Sequence, residues 1–329
     1  MKAKETSQMN MNRLALGKVI PLRTPLAIHI EPSRVCNFKC NFCFRFNGKE
    51  LGNSMLSMPL AKKIADDISD FPDKIKMLKI SGFGEPLINP NIVEIVKYIH
   101  EKNCSNRVAL FTNGSLLTPE LSRNLVKYLN HIVVSVNGIN AEQIFRFTHA
   151  KIDYERYYNG VKELCSYAEN ENCTVCAKIH SEAVKEKEHL ESFYELYGNI
   201  CDEVTVENLV NLFPETVYNA SDKSKHRFAH LTTREIMVCP QIFKSMQVCA
   251  DGIVVPCCAD YKAANVVGDL QKEHLVEIWN GQALRSLQEK HLNLMKNYIP
   301  FCKNCVMNNY SEIDNLDGDR EEIKRRMGF

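Results

Sequence analysis

The sequence predicts an α/β protein in which a partial (β/α)6 TIM-like barrel precedes a small C-terminal domain with a β-hairpin and a helix. Three observations support this fold class. Short β-rich runs alternate with amphipathic stretches between residues 26 and 210, the composition becomes polar from about Phe213, and Asp251-Gly252 separates two apolar runs. The alternation favours parallel strands joined by crossover helices. Asp-Gly between apolar runs is a strong hairpin signal, and it would bring Gln247 and Val255 side by side.

Six β-rich runs are predicted as the barrel strands: Leu26–Ile30, Met77–Ser81, Arg107–Thr112, His131–Val136, Thr174–His180 and Glu203–Glu207. The amphipathic segments between them are predicted as helices: Pro59–Ser69, Ile92–Glu101, Glu120–Leu129, Tyr154–Glu169 and Lys187–Tyr197. Thr118 before Pro119 is typical of a helix start, because Thr is a common N-cap and Pro is common at the first helical position. Barrels of this kind carry their chemistry at the carboxyl ends of the strands.

We expect four parts in the chain: an N-terminal arm (1–24), the barrel (25–213), the C-terminal domain (214–312) and a charged tail (313–329). Residues 214–236 are polar and are predicted to form a connecting segment, and Asp314–Arg326 is predicted to be a solvated helix. The arm is too short to build a core of its own.

The composition is that of a globular protein without a strong charge preference. Of its 329 residues, 45% are hydrophobic and 25% charged, and the net charge of +1 gives no field that favours nucleic acid or an anionic membrane. The first 25 residues lack the apolar stretch of a secretory signal, and no run is long enough to span a membrane. Fourteen cysteines without a signal peptide indicate a reducing compartment and metal or redox use, so we expect a cytoplasmic protein.

Three cysteines follow the first predicted strand at Cys36, Cys40 and Cys43. Three thiolates can hold three irons of a cubane cluster, and no fourth ligand is nearby, so one iron would be free to bind another molecule. The alternatives are a zinc knuckle or three incidental thiols. Zinc sites usually pair their cysteines as two C-x2-4-C halves, which this loop does not do.

The C-x3-C-x2-C spacing, with aromatic Phe42 just before the last cysteine, resembles the radical S-adenosylmethionine (SAM) superfamily. The resemblance implies a 4Fe–4S cluster whose open iron chelates SAM. In that family an electron from the cluster cleaves SAM to a 5′-deoxyadenosyl radical, which abstracts hydrogen. The protein then supplies binding, orientation and exclusion of side reactions.

The later strand ends carry further elements that resemble this family. Ser81-Gly-Phe-Gly-Glu-Pro86 resembles its Gly-Gly-Glu element, with Phe83 in place of one glycine. The resemblance implies that Glu85 offers a carboxylate to the SAM ammonium group and that Lys178 meets the SAM carboxylate. At Asn137 the family often has Asp. The implied cofactor-binding residues are Phe42, Gly82, Gly84 and Glu85, then Thr112, Asn113, Ser135 and Asn137 for the ribose, and Lys178.

A second cysteine-rich region lies between Cys239 and Cys305. It resembles the auxiliary-cluster module of radical SAM enzymes in its shortened "twitch" form, which holds one cluster. The longer "SPASM" form holds two clusters and needs more cysteines downstream, and residues 306–329 contain none. The resemblance implies a second 4Fe–4S cluster with the ligands Cys239, Cys257, Cys302 and Cys305. A structural metal site, including four-cysteine zinc, is the alternative.

Two cysteines near that module are candidate catalytic residues. A thiol beside a substrate radical can donate hydrogen from the opposite face, which makes Cys249 and Cys258 possible donors in an epimerisation. The alternatives are that Cys249 is a buried strand residue, and that Cys258 caps a turn or substitutes as a ligand. The remaining five cysteines are expected to be structural: Cys104, Cys165, Cys173, Cys176 and Cys201.

The leading functional hypothesis is a radical SAM oxidoreductase acting on a carbinol carbon of a sugar or aminocyclitol. The auxiliary cluster would take the second electron, as in the aminocyclitol dehydrogenase that the twitch pattern resembles. The alternatives are an epimerase of a sugar or aminoglycoside, a maturase of ribosomal peptides, and a metal-stabilised binding module without activity. We expect a carbohydrate-like small molecule, or a peptide, as substrate, a reductant such as flavodoxin or ferredoxin, and no nucleic-acid or membrane partner.

Overall fold

The computed structural model describes residues 1–6, 14–47, 52–210, 236–307 and 314–329. Its strands belong to one sheet with the order β1-β7-β6-β5-β4-β3-β2-β8-β9-β10. They are β1 Lys4–Glu5, β2 Ala27–Ile30, β3 Met77–Ile80, β4 Val108–Thr112, β5 His131–Ser135, β6 Thr174–His180, β7 Glu203–Glu207, β8 Ser245–Val248, β9 Ile253–Val255 and β10 Gly268–Asp269.

Strands β2 to β7 form the parallel centre of the sheet, each beside its neighbour in the chain. The predicted α/β class with a partial parallel barrel is confirmed. The six predicted strands lie within one residue of the observed bounds, and Thr174–His180 and Glu203–Glu207 coincide with β6 and β7. No helix in the described part of the chain is both long enough and apolar enough to cross a bilayer.

The helices between β2 and β7 connect the parallel strands, and residues from the helices contribute to the main hydrophobic core. The helices are α1 Leu16–Val19, α2 Met58–Ser69, α3 Ile92–Lys102, α4 Pro119–Tyr128, α5 Ala141–Thr148, α6 Tyr154–Ala168, α7 Lys187–Tyr197, α8 Gln241–Lys244, α9 Leu275–Asn280, α10 Gln282–Leu292 and α11 Arg320–Met327. Helix α4 begins as predicted: the Thr118 side chain accepts a hydrogen bond from the Leu121 amide, with Pro119 at the first helical position. Helix α5 was not predicted.

The predicted hairpin is formed by β8 and β9, with Gln247 opposite Val255. Strand β8 also pairs in parallel with β2, where Gln247 lies opposite His29. The hairpin therefore extends the barrel sheet, a connection that local sequence signals do not encode. The boundary at 213/214 and most of the connecting segment 214–236 lie outside the described residues, so the division into domains stays a prediction.

Both chain ends pack more closely than the sequence suggested. Strand β1, within the predicted arm, pairs in parallel with β7. Helix α11 forms inside the predicted tail, but its Ile323 and Met327 are buried. The expectation of a solvated helix is therefore wrong for one face, because this apolar pair at i and i+4 docks against the body of the protein.

Candidate functional site

The three N-terminal cysteines lie in the loop that follows β2, where the barrel geometry predicts the site. Burial raises the pKa of each thiol. At Cys40 the charges of Cys43 and Cys36 add to that effect. Among the described residues, no three His, Cys, Asp or Glu side chains are arranged to hold a single metal ion. A cubane binds each cysteine at a separate iron, which suits three thiols in one loop, whereas zinc sites usually pair their cysteines as two C-x2-4-C halves.

Helix α5 supports this cysteine loop through its last carbonyl groups, which a helix leaves unpaired. The Lys39 amide donates to the Thr148 carbonyl at 2.9 Å, and the Asn41 amide donates to the Phe147 carbonyl at 2.9 Å. Sequence reasoning missed this helix. Two signals could have found it: Asn140, whose side chain accepts from the Gln143 amide as an N-cap, and the apolar residues spaced along 141–148.

The ring of Phe42 lies beside the carboxyl end of β6. Its centroid is 5.1 Å from that of His180, and the His180 ring is 4.5 Å from Phe147, both edge-on. His180 is buried, and burial lowers its pKa to about 4, so the imidazole is neutral at neutral pH. Phe42 is thus held by β6 and α5 together, and its predicted contact with SAM remains a prediction.

Gly82 and Gly84 let the loop after β3 lie directly against the cysteine loop. A Cβ atom on Gly84 would lie 2.4 Å from the carbonyl oxygens of Ser33 and Val35, and one on Gly82 would lie 2.5 Å from Cγ of Glu31. The Glu85 amide also donates to the Val35 carbonyl at 2.8 Å. The close contact that requires these glycines is therefore made with the segment that leads into the cysteine loop. The expected contact with SAM stays a prediction.

The carboxylate of Glu85 is buried and bonded within the protein. It accepts from the Thr112 hydroxyl at 2.6 Å, the Asn113 amide at 2.7 Å and the Leu87 amide at 3.1 Å. Burial raises its pKa, and these hydrogen bonds oppose the rise. The Thr112 hydroxyl in turn accepts from the Gly114 amide at 3.0 Å. These groups were predicted to meet SAM directly, but here they join the ends of β3 and β4.

Asn113 connects this network to the cysteine loop. Its side-chain amide donates to Oδ1 of Asn37 at 2.9 Å, and Asn37 donates to the Ser115 hydroxyl at 2.8 Å. Asn37 follows Cys36 directly, so three consecutive strand ends are tied together at the candidate site. Asn37 and Ser115 were not predicted as site residues, because neither belongs to a motif that marks them.

The remaining predicted SAM residues lie at the ends of β5 and β6. Lys178 and Ser135 are opposite each other in the strand register, and the Asn137 side chain donates to the Ser135 carbonyl at 3.0 Å. The ammonium group of Lys178 lies 3.6 Å from a carboxylate oxygen of Glu207 on β7. Lys178, predicted to meet the SAM carboxylate, therefore already has an acidic neighbour in the protein.

The four predicted auxiliary ligands belong to three separate segments, and the charges of their thiols act on one another. Burial raises the pKa of Cys239 to about 11, and the charge of Cys305 adds to the rise. Burial and the same two neighbouring thiols, Cys239 and Cys305, raise the pKa of Cys302. The pKa of Cys257 is raised by a hydrogen bond with the Cys258 thiol, by burial, and by the charges of Cys258, Cys239 and Cys305. These thiols are close enough for their charges to act on one another, and deprotonated they would suit a closed iron–sulfur cluster.

The two candidate catalytic cysteines differ in their surroundings. Cys258 lies in the auxiliary site, hydrogen-bonded to the Cys257 thiol. Cys249 is fully buried and packs with Phe44, Phe83 and Tyr261. Burial raises its pKa to about 12, with the Glu31 charge adding to the rise. This environment favours the structural interpretation of Cys249 over the hydrogen-donor interpretation.

The other five cysteines, Cys104, Cys165, Cys173, Cys176 and Cys201, are all buried, in line with the structural role expected of them.

Two polar residues of the segment after β5 lie beside the cysteine loop. The Asn41 side chain donates to the Arg146 carbonyl at 3.4 Å, and the His149 ring packs 5.0 Å from Phe46. Asp153 and Arg156 instead line a groove at the starts of α4 and α6.

The chain matches two family models. The radical SAM superfamily model matches residues 30–193, and the SPASM iron–sulfur cluster-binding domain matches residues 239–306. One curated relative is the tungsten-containing aldehyde ferredoxin oxidoreductase cofactor-modifying protein of Pyrococcus furiosus, 28% identical over 58% of this chain and 53% of the relative. Another is the AdoMet-dependent heme synthase of Methanosarcina barkeri, 32% identical over 43% of this chain and 39% of the relative. The chain thus spans about half or less of these relatives.

Two solved structures share the fold. BtrN in complex with AdoMet and 2-DOIA has a TM-score of 0.57 at 20% identity, covering 85% of this chain and 92% of BtrN. Streptococcus suis SuiB bound to S-adenosylmethionine has a TM-score of 0.62 at 18% identity, covering 83% of this chain and 70% of SuiB. Together with the cysteine loop and the parallel barrel, these findings show that the chain belongs to the radical SAM superfamily, carries a SPASM domain, and uses SAM and 4Fe–4S clusters as cofactors.

Proposed function

We propose that this radical SAM enzyme dehydrogenates a carbinol carbon of a sugar or aminocyclitol-type substrate. The bound SAM and its cluster supply a 5′-deoxyadenosyl radical, which takes one hydrogen atom from that carbon. The substrate then loses its hydroxyl proton and one electron to give a ketone, and the electron passes to the auxiliary 4Fe–4S cluster. In this proposal Cys36, Cys40 and Cys43 hold the SAM cluster.

The proposal is carried by the mutual influence of the C-terminal thiols: the charges of Cys239 and Cys305 raise the pKa of both Cys257 and Cys302. We take Cys239, Cys257, Cys302 and Cys305 as the ligands of the auxiliary cluster, and four protein ligands would leave no iron open to bind substrate. Such a cluster is suited to accept or relay an electron, which dehydrogenation requires and a redox-neutral epimerisation does not. The shared fold with BtrN, whose structure contains AdoMet and 2-DOIA, agrees with a small-molecule substrate.

The proposal also includes the SAM contacts inferred from the family. Gly82, Gly84 and Glu85 would lie at the methionine end. Thr112, Asn113, Ser135 and Asn137 would lie around the ribose, Lys178 would meet the carboxylate, and Phe42 would be a further SAM-binding residue. The buried hydrogen bonds of Glu85 and Asn113 support a positioning role for both. A reductant such as flavodoxin or ferredoxin and a cytoplasmic location complete the proposal, supported by the fourteen cysteines and the redox cofactors.

A peptide-modifying activity is the second candidate. Streptococcus suis SuiB, solved with its precursor peptide SuiA, has a TM-score of 0.62 and covers 83% of this chain. Epimerisation has less support, because the thiol of Cys249 is fully buried and Cys258 lies in the auxiliary site.

The test is product analysis with anaerobically reconstituted protein, SAM and dithionite in deuterated water. A panel of aminocyclitols and sugars, beginning with 2-deoxy-scyllo-inosamine, should give a ketone together with 5′-deoxyadenosine. Deuterium at an inverted carbon would instead show epimerisation, and Cys258→Ala would then test the donor. Turnover of precursor peptides with no turnover of any polyol would replace our proposal with the maturase. The Cys40→Ser variant, which removes a cluster ligand, should form no 5′-deoxyadenosine.

A further inference from the structure

A small aromatic core lies between the two cysteine sites, separate from the main hydrophobic core of the barrel. Its rings belong to Phe44, Phe83, Tyr261 and Phe301, and we call these four residues the aromatic bridge. Phe44 stacks on Tyr261 at 4.2 Å between centroids, with 19° between the planes. Phe83 meets Phe44 edge-on at 5.7 Å, and Phe301 meets Tyr261 edge-on at 5.9 Å.

Each end of the bridge adjoins a predicted cluster ligand in the sequence. Phe44 follows Cys43 of the SAM site, and Phe301 precedes Cys302 of the auxiliary site. Tyr261 lies in the loop after Cys258, and the carboxylate of its neighbour Asp260 fixes this loop by accepting from the Ala264 and Asn265 amides at 3.0 and 2.9 Å. The bridge therefore connects the backbones that carry both sets of ligands.

Phe83 departs from the family pattern, and the proposed function gives it no role. It stands where the Gly-Gly-Glu element has its first glycine, and its side chain is buried against Phe44, with the Tyr261 ring 6.4 Å away. A glycine there would leave a cavity in the bridge, and cavities in close-packed cores are costly. The substitution thus fits a role in packing the two sites together.

We infer that Tyr261 is a positioning residue which the C-terminal domain contributes to the SAM site. Its ring is 2% exposed and stacks on Phe44, the residue next to Cys43. Close-packed interiors transmit displacements, since neighbouring groups have no free volume to absorb them. The geometry of the cysteine loop, and with it the binding of SAM at the open iron, therefore depends on the auxiliary loop that holds Tyr261. This inference rests on the cofactor assignment and is independent of the substrate.

The test compares Tyr261→Ala with Tyr261→Phe and Tyr298→Ala in the reconstituted holoenzyme. Tyr298 is the matched control, because it belongs to the same domain, lies near Cys302 in the sequence and is 78% exposed. The measurements are the dissociation constant of SAM and the difference between the electron paramagnetic resonance spectra of the reduced protein with and without SAM. That difference reports on the SAM cluster alone.

We expect Tyr261→Ala to weaken SAM binding about tenfold, which corresponds to ~1.4 kcal/mol and to the loss of one or two aromatic pairs. Its difference spectrum should also change, while Tyr261→Phe and Tyr298→Ala behave as wild type. A Tyr261→Ala protein with wild-type SAM affinity and difference spectrum would overturn the inference. Should this variant fail to fold or to load iron, Tyr261→Leu keeps most of the volume without the stack. A wild-type difference spectrum in the Tyr261→Leu variant would also overturn the inference that Tyr261 positions the SAM site.

Discussion

Glu31 gives a test of how the cysteine loop is anchored. Its carboxylate is fully buried at the end of β2 and joins three segments. Oε1 accepts from the Phe83 amide at 2.9 Å, and Oε2 accepts from Nε of Arg34 and from the Ala250 amide, each at 3.0 Å. The same residue therefore holds the cysteine loop, the loop after β3 and the β8–β9 hairpin.

The Glu31→Gln change keeps the shape but converts one acceptor oxygen into a donor. The least costly orientation places the new NH2 group at the Oε1 position, because that oxygen has one donor and Oε2 has two. The Phe83 amide is then left without an acceptor. Arg34 loses the fully buried one of its two carboxylate neighbours and keeps the partly exposed Asp251 at 3.5 Å. An unsatisfied buried group costs ~1–3 kcal/mol and a hydrogen bond to a charged group contributes ~1.5–3 kcal/mol, so we expect a loss of about 3 kcal/mol.

The assay is anaerobic urea unfolding of the holoenzyme, followed by circular dichroism. The matched control is Glu322→Gln, since Glu322 and Arg325 form another Glu–Arg pair at i and i+3, but with side-chain exposures of 48% and 74% rather than the 0% and 11% of Glu31 and Arg34. Exposed pairs contribute little, so the control should be indistinguishable from wild type. Equal unfolding midpoints for the two variants would show that the Glu31 network does not anchor the loop.

Three further predictions concern the same framework. Gly84→Ala should destabilise the protein and reduce iron loading of the N-terminal site, because the added Cβ would lie 2.4 Å from two backbone oxygens. The control is Gly160→Ala, where the added Cβ would lie 3.6 Å from the nearest atom. This variant should be neutral or slightly stabilising in the same measurements. Phe147→Leu should lower the amount of iron retained at the N-terminal site, because the Phe147 ring is buried against His180. The control is Phe145→Leu on the same helix, whose side chain is 44% exposed, and it should retain iron as wild type does. Equal iron retention in the two variants would contradict the role of α5. Burial lowers the pKa of His131 to about 4 in the folded protein. As the pH falls, the unfolded chain therefore protonates this imidazole first. The free energy of unfolding should decrease as the pH drops from about 6.5 to about 4. His131→Gln should remove about 2 kcal/mol of the stability difference between pH 7 and 5, and an unchanged urea-unfolding difference would argue against it.

Much of the barrel could be predicted because its signals are local. Thr118 and Pro119 mark a helix start by their own chemistry, and β-rich runs such as Thr174–His180 are bounded by polar residues. The cysteine motif is equally local, since C-x3-C-x2-C needs only a loop to bring three thiols together.

What escaped prediction depends on contacts between distant segments. The pairing of β8 with β2 joins residues more than 200 positions apart, and no periodicity in either strand specifies its partner. The partners of Glu85 depend likewise on which loops meet. A sequence motif gives the identity of Glu85, and on that basis its carboxylate was predicted to face SAM. The orientation of the carboxylate, however, depends on hydrogen-bond donors such as Thr112, which belongs to another strand.

The sheet ends at both sides in a strand of only two residues, β1 at Lys4–Glu5 and β10 at Gly268–Asp269. A long exposed edge would offer a row of free amide and carbonyl groups to another chain, and short charged edges discourage such pairing. A variant lacking residues 1–6 would uncover all of β7 along one side. We expect the truncated variant to self-associate at concentrations where the full-length chain stays monodisperse.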